Sequence, residues 1–291
     1  MSLDHDTGSI TIDRLGPENL TEAFGFLDRD PVLNVYLIAL TLRDGLARPR
    51  DEAWAARRGG EIVGVLHLGP QSGAVLPHVD DPGAIDALGA HALGRMTFMP
   101  RRFHVIGPRA AVHSFHARFG RAGMRPRILR DQLYMSLERG ALPPFEPLPE
   151  LRPSTPRDYR MVFESGAAMR AEELEEDPRD HDPIAYARRV EEECRDGYTF
   201  LWTDREGLCF RASMSARTGD AVQIAGVYTP PARRGRGIAR RGMSELCARL
   251  LGKSRAACLF VNDFNAPAIA LYLRIGFRQH AAWGSAFYDL R

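Results

Sequence analysis

The run Arg233-Arg234-Gly235-Arg236-Gly237-Ile238-Ala239-Arg240 is where residue type and spacing point most directly to chemistry. It follows an apolar segment, Val227-Tyr228-Thr229, and a Pro230-Pro231 turn. Glycine adopts backbone conformations that other residues resist and lets a ligand come close to the main chain. Where such a loop opens a helix, consecutive N–H groups and the positive end of the helix dipole face an anion. Phosphate binding is the expected chemistry, with Arg233, Arg234 and Arg236 adding positive charge. A Gly-x-Gly after a strand also occurs as a plain tight turn, so other segments must decide what is held.

Three further groups of reactive residues need a reading. The acidic run Glu172-Glu173-Leu174-Glu175-Glu176-Asp177 is either a solvated face or a lure for a basic group. His113 and His116 lie among Phe115, Arg118 and Phe119 with no Cys or carboxylate close in sequence, and no metal is expected there. Cys194, Cys209, Cys247 and Cys258 show no Cys-x-x-Cys spacing and read as buried thiols.

The strand entering the loop spans Ala221 to Thr229. In the helix after it, Ile238, Gly242, Leu246 and Leu250, flanked by Ala239, Met243, Cys247 and Leu251, form one apolar face. Ala256 to Val261 is a short strand. Asn262 to Asn265 then caps a helix with Pro267 early in it and Gly276-Phe277 at its end. Arg278 to Ala282 and Ser285 to Leu290 read as two closing strands. Upstream, helices from Tyr159 to Met169 and from Pro183 to Arg195 flank the acidic run, and Tyr198 to Ser213 forms a hairpin.

The first half repeats this order. Ile10 to Ile12 is a strand, Leu20, Phe24 and Leu27 mark a helix, and a second helix runs from Asp30 to about Leu42 with Pro31 near its first turn. A hairpin from Ala53 to Leu68, a Gly-, Pro- and Asp-rich stretch, a helix from Pro82 to Leu93, a strand from Phe103 to Gly107, a helix from Ala110 to Phe119 and an extended segment from Arg127 to Leu137 follow. An internal duplication is implied by this element order. Pro143, Pro144, Pro147, Pro149 and Pro153 stiffen the join, which places the domains at 1–142 and 150–291. Where a second anion loop would fall, the first half has Pro77, Asp80, Asp81 and Pro82, and carboxylates there would repel a phosphate.

At 291 residues, with 44% hydrophobic and 26% charged, the chain has material for two ordinary domains. A net charge of +2 gives no field that argues for nucleic acid. No apolar segment approaches bilayer length, and the polar, acidic Met1 to Gly8 does not resemble a signal peptide, so a cytoplasmic location is expected. The oligomeric state is open, a homodimer included.

The second half resembles the GNAT superfamily of acyl-CoA-dependent N-acyltransferases. Arg234 to Ala239 matches its Gln/Arg-x-x-Gly-x-Gly/Ala loop, and Asn265 to Phe277 matches its Asn-through-Tyr helix ending in Gly-Phe. The whole chain resembles a tandem subgroup with a degenerate N-terminal half, through Asp30 to Val35, Met169 to Glu173, Phe210-Arg211 and Gln223 to Tyr228. That subgroup often has an aromatic residue where Arg170 stands and Lys where Arg211 stands.

The resemblance implies an α/β (mixed α+β) fold of two tandem GNAT-like domains, each a mostly antiparallel mixed sheet flanked by helices. It implies acetyl-CoA as cosubstrate, no metal, and transfer to a primary amine on a small molecule or protein. The pyrophosphate would lie on Arg234, Gly235, Arg236, Gly237, Ile238, Ala239 and Arg240, and the pantetheine against Val227, Tyr228 and Thr229. Asn265 would contact that arm and Tyr272 would sit near the sulfur. Direct attack needs a neutral amine, donors for the oxyanion and a proton for the thiolate. Tyr272 can supply the proton, and the N–H of Tyr228 or a neighbour can polarise the carbonyl. Many members carry a strand Glu as base, but here Gln223 stands on that strand. Glu173 and Glu172 are the next candidates, with a water chain as the alternative. This gap leaves open a non-catalytic acyl-CoA sensor, and the loop does not define the acyl group.

Overall fold

The computed structural model describes residues 8–290. The stretch Met1–Thr7, part of the N-terminus read above as no signal peptide, lies outside the described residues.

In chain order the elements are β1 (Ile10–Leu15), α1 (Leu20–Leu27), α2 (Val35–Asp44), β2 (Glu52–Arg58), β3 (Glu61–Gly69), β4 (Ala74–Val79), α3 (Pro82–Arg95), β5 (Arg102–Pro108), α4 (Arg109–Arg121) and β6 (Pro126–Glu138). They continue with β7 (Arg152–Pro153), α5 (Tyr159–Leu174), α6 (Pro183–Arg195), β8 (Thr199–Asp204), β9 (Gly207–Arg217), β10 (Ala221–Tyr228), α7 (Ile238–Leu251), β11 (Ala256–Asn262), α8 (Ala266–Ile275) and β12 (Arg278–Asp289). The chain forms two compact units, Met1–Tyr134 with His280–Arg291, and Met135–Gln279. Strand β12 belongs to the first unit from His280 onward.

The fold is mixed α and β, with mostly antiparallel strands flanked by helices. In the first unit the strand order is β1-β2-β3-β4-β5-β12, and only β4 and β5 run parallel. Its core joins Leu66, Val75, Leu88, Val105, Phe115 and Phe119 to Tyr288 of the closing strand. In the second unit the order is β11-β10-β9-β8-β7, and only β10 and β11 run parallel. Each unit thus has one strand-helix-strand crossover, β4-α3-β5 and β10-α7-β11, at matching places in its order.

Several expectations change. The Gly-, Pro- and Asp-rich stretch contains strand β4, and Pro77 is accepted because the ladder to β5 involves only Ala74 and Val75. Asp30 to Asn34 is a turn, its Asp30 side chain accepting from the Leu33 N–H at 3.0 Å, and α2 starts only at Val35. The closing segment is one strand, paired without a break from Trp283↔Pro108 to Asp289↔Arg102. Helix α5 runs five residues past Met169, so Glu172 and Glu173 occupy its last turn rather than a loop. Carboxylates at that end oppose the helix dipole, so helix stability does not account for them.

Helix α7 is held on its sheet by a close glycine contact. A Cβ on Gly242 would lie 2.5–2.8 Å from ring atoms of the fully buried Phe210. Gly242→Val is therefore expected to cost about 2–3 kcal/mol through overpacking, read as a lower midpoint in a denaturant titration. An unchanged midpoint would show that Phe210 can move away.

Candidate functional site

Strand β10 pairs with β11 only over Ala221↔Ala256, Val222↔Ala257 and Gln223↔Cys258. Beyond Gln223 the ladder ends, and the β11-facing main-chain groups of Ile224 to Tyr228 have no ladder partner there. On its other edge β10 pairs Ala225 with Ser213 and Tyr228 with Arg211, so Gly226 and Val227 face the single residue Ala212 and form a bulge. Gly226 supplies the positive φ of +61° that this bulge needs. A slot with free strand edges and a kink at its inner end results.

The loop after β10 ends at the N-terminus of α7. Gly235 and Gly237 both have φ of +74°, and nothing lies within 4 Å of a Cβ at either position. Backbone handedness, not crowding, is what requires glycine here. Gly237 is the N-cap and offers no side chain to the helix, so the N–H groups that open α7 are left for an outside acceptor. This is the cradle geometry expected from the sequence.

The arginines divide into two sets. Arg233 is tied to Asp204 at 2.6 and 2.8 Å, and Arg234 donates to the Thr229 carbonyl at 2.9 Å and to Glu172 at 2.6 Å. Both brace the loop. Arg236 and Arg240 are exposed and make no ion pair or hydrogen bond among the described residues. Loose positive charge at the cradle therefore comes from these two. Glu172 acts as a clamp between α5 and the loop, with Tyr228 beside it under the Arg234 guanidinium at 5.7 Å.

Asn265 caps α8, its side chain accepting from the Ala268 N–H at 3.2 Å. Seven residues on, Tyr272 is buried, with its ring against Phe277 at a centroid distance of 5.8 Å and its hydroxyl without a hydrogen-bond partner among the described residues. Burial raises the pKa of this phenol, and the charge of Glu173 raises it further. Glu173 is exposed to water on one side and has protein packed about its carboxyl. That crowding, with Glu172 next to it, raises its carboxyl pKa. Met169, one turn earlier, comes within 3.6 Å of a Cβ placed on Gly226. The end of α5 and the start of the bulge thus meet around one space.

Residues 157–277 match the model described as the Acetyltransferase (GNAT) family. The chain carries a GNAT acetyltransferase domain. Solved structures agree with this GNAT fold over the full length. A GCN5-related N-acetyltransferase from Sphaerobacter thermophilus superposes with a TM-score of 0.59 at 18% identity, covering 97% of this chain and 96% of that one. A tandem GNAT protein from the clavulanic acid biosynthesis pathway gives 0.54 at 17%, covering 97% and 98%. A Drosophila protein gives 0.61 at 12%, covering 96% and 99%. No curated protein matches the chain in sequence.

Of the other sequence candidates, Cys247 lies near Tyr272 and Cys209 meets Arg233, but neither is reactive. All four cysteines are buried, and burial pushes the Cys247 thiol up to about 12, so it is no thiolate nucleophile at neutral pH. His113 pairs with Asp131 at 2.6 Å, a carboxylate invisible to local spacing, and no group of three or more metal-ligating side chains occurs among the described residues. No helix of the described residues is long and apolar enough to cross a membrane.

The crossover of the first unit lacks both parts of the site. A Cβ on Gly107 of β5 would lie 2.5 Å from the Pro77 carbonyl oxygen of β4, so these strands stay close where the ladder of β10 and β11 has ended. Asp81 caps α3 by accepting from the Ala84 N–H at 2.8 Å, and Arg58 holds the same carboxylate at 2.9 Å. An anion at this helix start would meet a carboxylate already in place.

Proposed function

We propose that the second unit transfers an acetyl group from acetyl-CoA to a primary amine by direct attack in a ternary complex. The observation that carries this reading is the joining of an uncapped, glycine-entered helix N-terminus to a parallel strand pair whose ladder ends at Gln223. The first suits a pyrophosphate and the second suits an extended amide-bearing arm. Gly235 to Ala239, with Arg236 and Arg240, would hold the pyrophosphate, and Val227, Tyr228 and Thr229 would line the arm. Bound there, acetyl-CoA would supply an activated acyl thioester.

The chain's own groups cover the remaining needs. Tyr272 would give a proton to the leaving sulfur, a role supported by the burial that keeps its phenol protonated. Glu173 faces the same space and would hold the cationic amine beside it. Glu172 and Arg234 would act by ordering the loop rather than by touching reactants. The transfer is proposed to take place in the cytoplasm.

Residues 1–142 are proposed as a degenerate GNAT-like domain with no CoA site of its own, and residues 150–291 as the catalytic domain. The test is calorimetry with CoA, followed by thiol release from acetyl-CoA across a panel of amino acids, polyamines and aminosugars. One CoA per chain and release with at least one amine are expected. Two CoA per chain would overturn the single-site reading. Binding without release from any amine would favour the sensor, which the missing strand Glu at Gln223 supports.

A further inference from the structure

A chain of hydroxyls leads from the β10 bulge to a carboxylate on α6. Ser213 Oγ lies 3.5 Å from the point a Cβ would take on Gly226, in the space shared with Met169, and it is partly open to water. Its oxygen is 2.8 Å from Thr199 Oγ1, which is fully buried and donates to Glu193 Oε2 at 3.1 Å. The Glu193 side chain is 25% exposed at the far end. The route therefore has two wet ends and a dry middle.

Its polarity follows from counting protons. A carboxylate only accepts, so the one hydroxyl proton of Thr199 points at Glu193. The Ser213 hydroxyl must then donate to Thr199. Arg211 Nη2 donates to Ser213 at 3.3 Å, which leaves Ser213 a lone pair to accept a proton from the cleft. Arg211 is itself fixed by the Val162 carbonyl at 2.8 Å and Ser165 Oγ at 3.2 Å. The charged and titratable groups facing Glu193 are Arg211 from β9, Arg170 from α5, and Arg189, Tyr186 and Cys194 from its own helix.

Resting on the acyl-transfer reading above, we propose that Ser213, Thr199 and Glu193 form the relay that removes the proton of the acceptor's ammonium group. The ammonium gives a proton to Ser213 Oγ as the Ser213 proton moves to Thr199 and the Thr199 proton moves to Glu193, which passes it to water. The neutral amine then forms the C–N bond as the C–S bond of the thioester breaks. Tyr272 protonates the sulfur and regains its proton from the nitrogen, so one proton leaves the protein per turnover. Ser213 would touch the reacting amine; Thr199 and Glu193 act through it.

The test uses the full chain and whichever amine of the panel gives the fastest thiol release. Thr199→Val, Glu193→Gln and Ser213→Ala are each expected to lower kcat at neutral pH about a hundredfold, with the KM for acetyl-CoA unchanged. Their rates should keep rising with pH toward the amine's own pKa, about 10.4 for a lysine-like group, because only amine already neutral in water reacts. Thr199→Ser should restore the wild-type profile. Wild-type kcat and profile in Ser213→Ala and Glu193→Gln would overturn the relay alone, as would a Glu173→Gln variant that by itself moves the profile in this way. A wild-type protein that binds CoA but acetylates no amine would overturn the acyl-transfer reading and the relay with it.

Discussion

Tyr272→Phe is expected to leave CoA affinity unchanged and to lower kcat by roughly 10² to 10⁴, the usual scale for losing a general acid. Phenylalanine keeps the ring that packs on Phe277, and the lost hydroxyl has no partner among the described residues to strand. Stability should therefore hold, since a deletion is costly mainly when it leaves a buried group unpaired. The pH dependence has a definite sign. Burial and the nearby Glu173 raise the phenol's pKa, so the protonated form persists above the usual tyrosine value of about 10. The wild-type rate should show no loss from this group below that pH. The same desolvation disfavours the thiolate, which helps proton transfer to sulfur. Turnover by the variant at the wild-type rate would remove Tyr272 from the mechanism.

Gly237→Asp is the corresponding experiment on the cradle. It places a carboxylate at the start of α7, as Asp81 does at the start of α3, where the first unit holds its own helix end with Arg58. Aspartate tolerates the positive φ of +74° better than most residues, so the strain should be about 1 kcal/mol. CoA affinity, read by calorimetry, should fall about a hundredfold, or about 2.7 kcal/mol. The loss should shrink as salt is added, because charge repulsion is screened. Gly237→Ala carries similar backbone strain without the charge and should lose much less. Equal affinities for Gly237→Asp and the wild type would mean that the pyrophosphate does not lie on these amides.

Local sequence was enough where the cause of structure is local. Gly235 and Gly237 announce positive φ, Asn265 and Pro267 announce a helix start, and the apolar spacing from Ile238 to Leu251 announces a face to bury. The buried cysteines and the element order were legible for the same reason. Local composition misled at Ala74–Val79, where a proline is accepted only because of which neighbouring strand has stopped pairing. It also misled at Glu172 and Glu173, which stand in the last turn of α5, where Glu172 is held by Arg234 from far along the chain.

Motif spacing in the sequence therefore pointed to a glycine-entered helix N-terminus that suits an anion, and to a helix that carries Tyr272 and is capped by Asn265. Three things depended on tertiary structure. Arg233 and Arg234 are held by Asp204 and Glu172, 29 and 62 residues away, so the loose charge is on Arg236 and Arg240. Pro77 approaches Gly107 and closes the first crossover, while the ladder of β10 and β11 ends at Gln223 in the second. Glu193, Thr199 and Ser213 come into line only because α6, β8 and β9 pack side by side. Hydrogen bonds and charge pairs act over about 3 Å, and the residues that meet at that distance here are set by strand register and helix packing rather than by their separation along the chain.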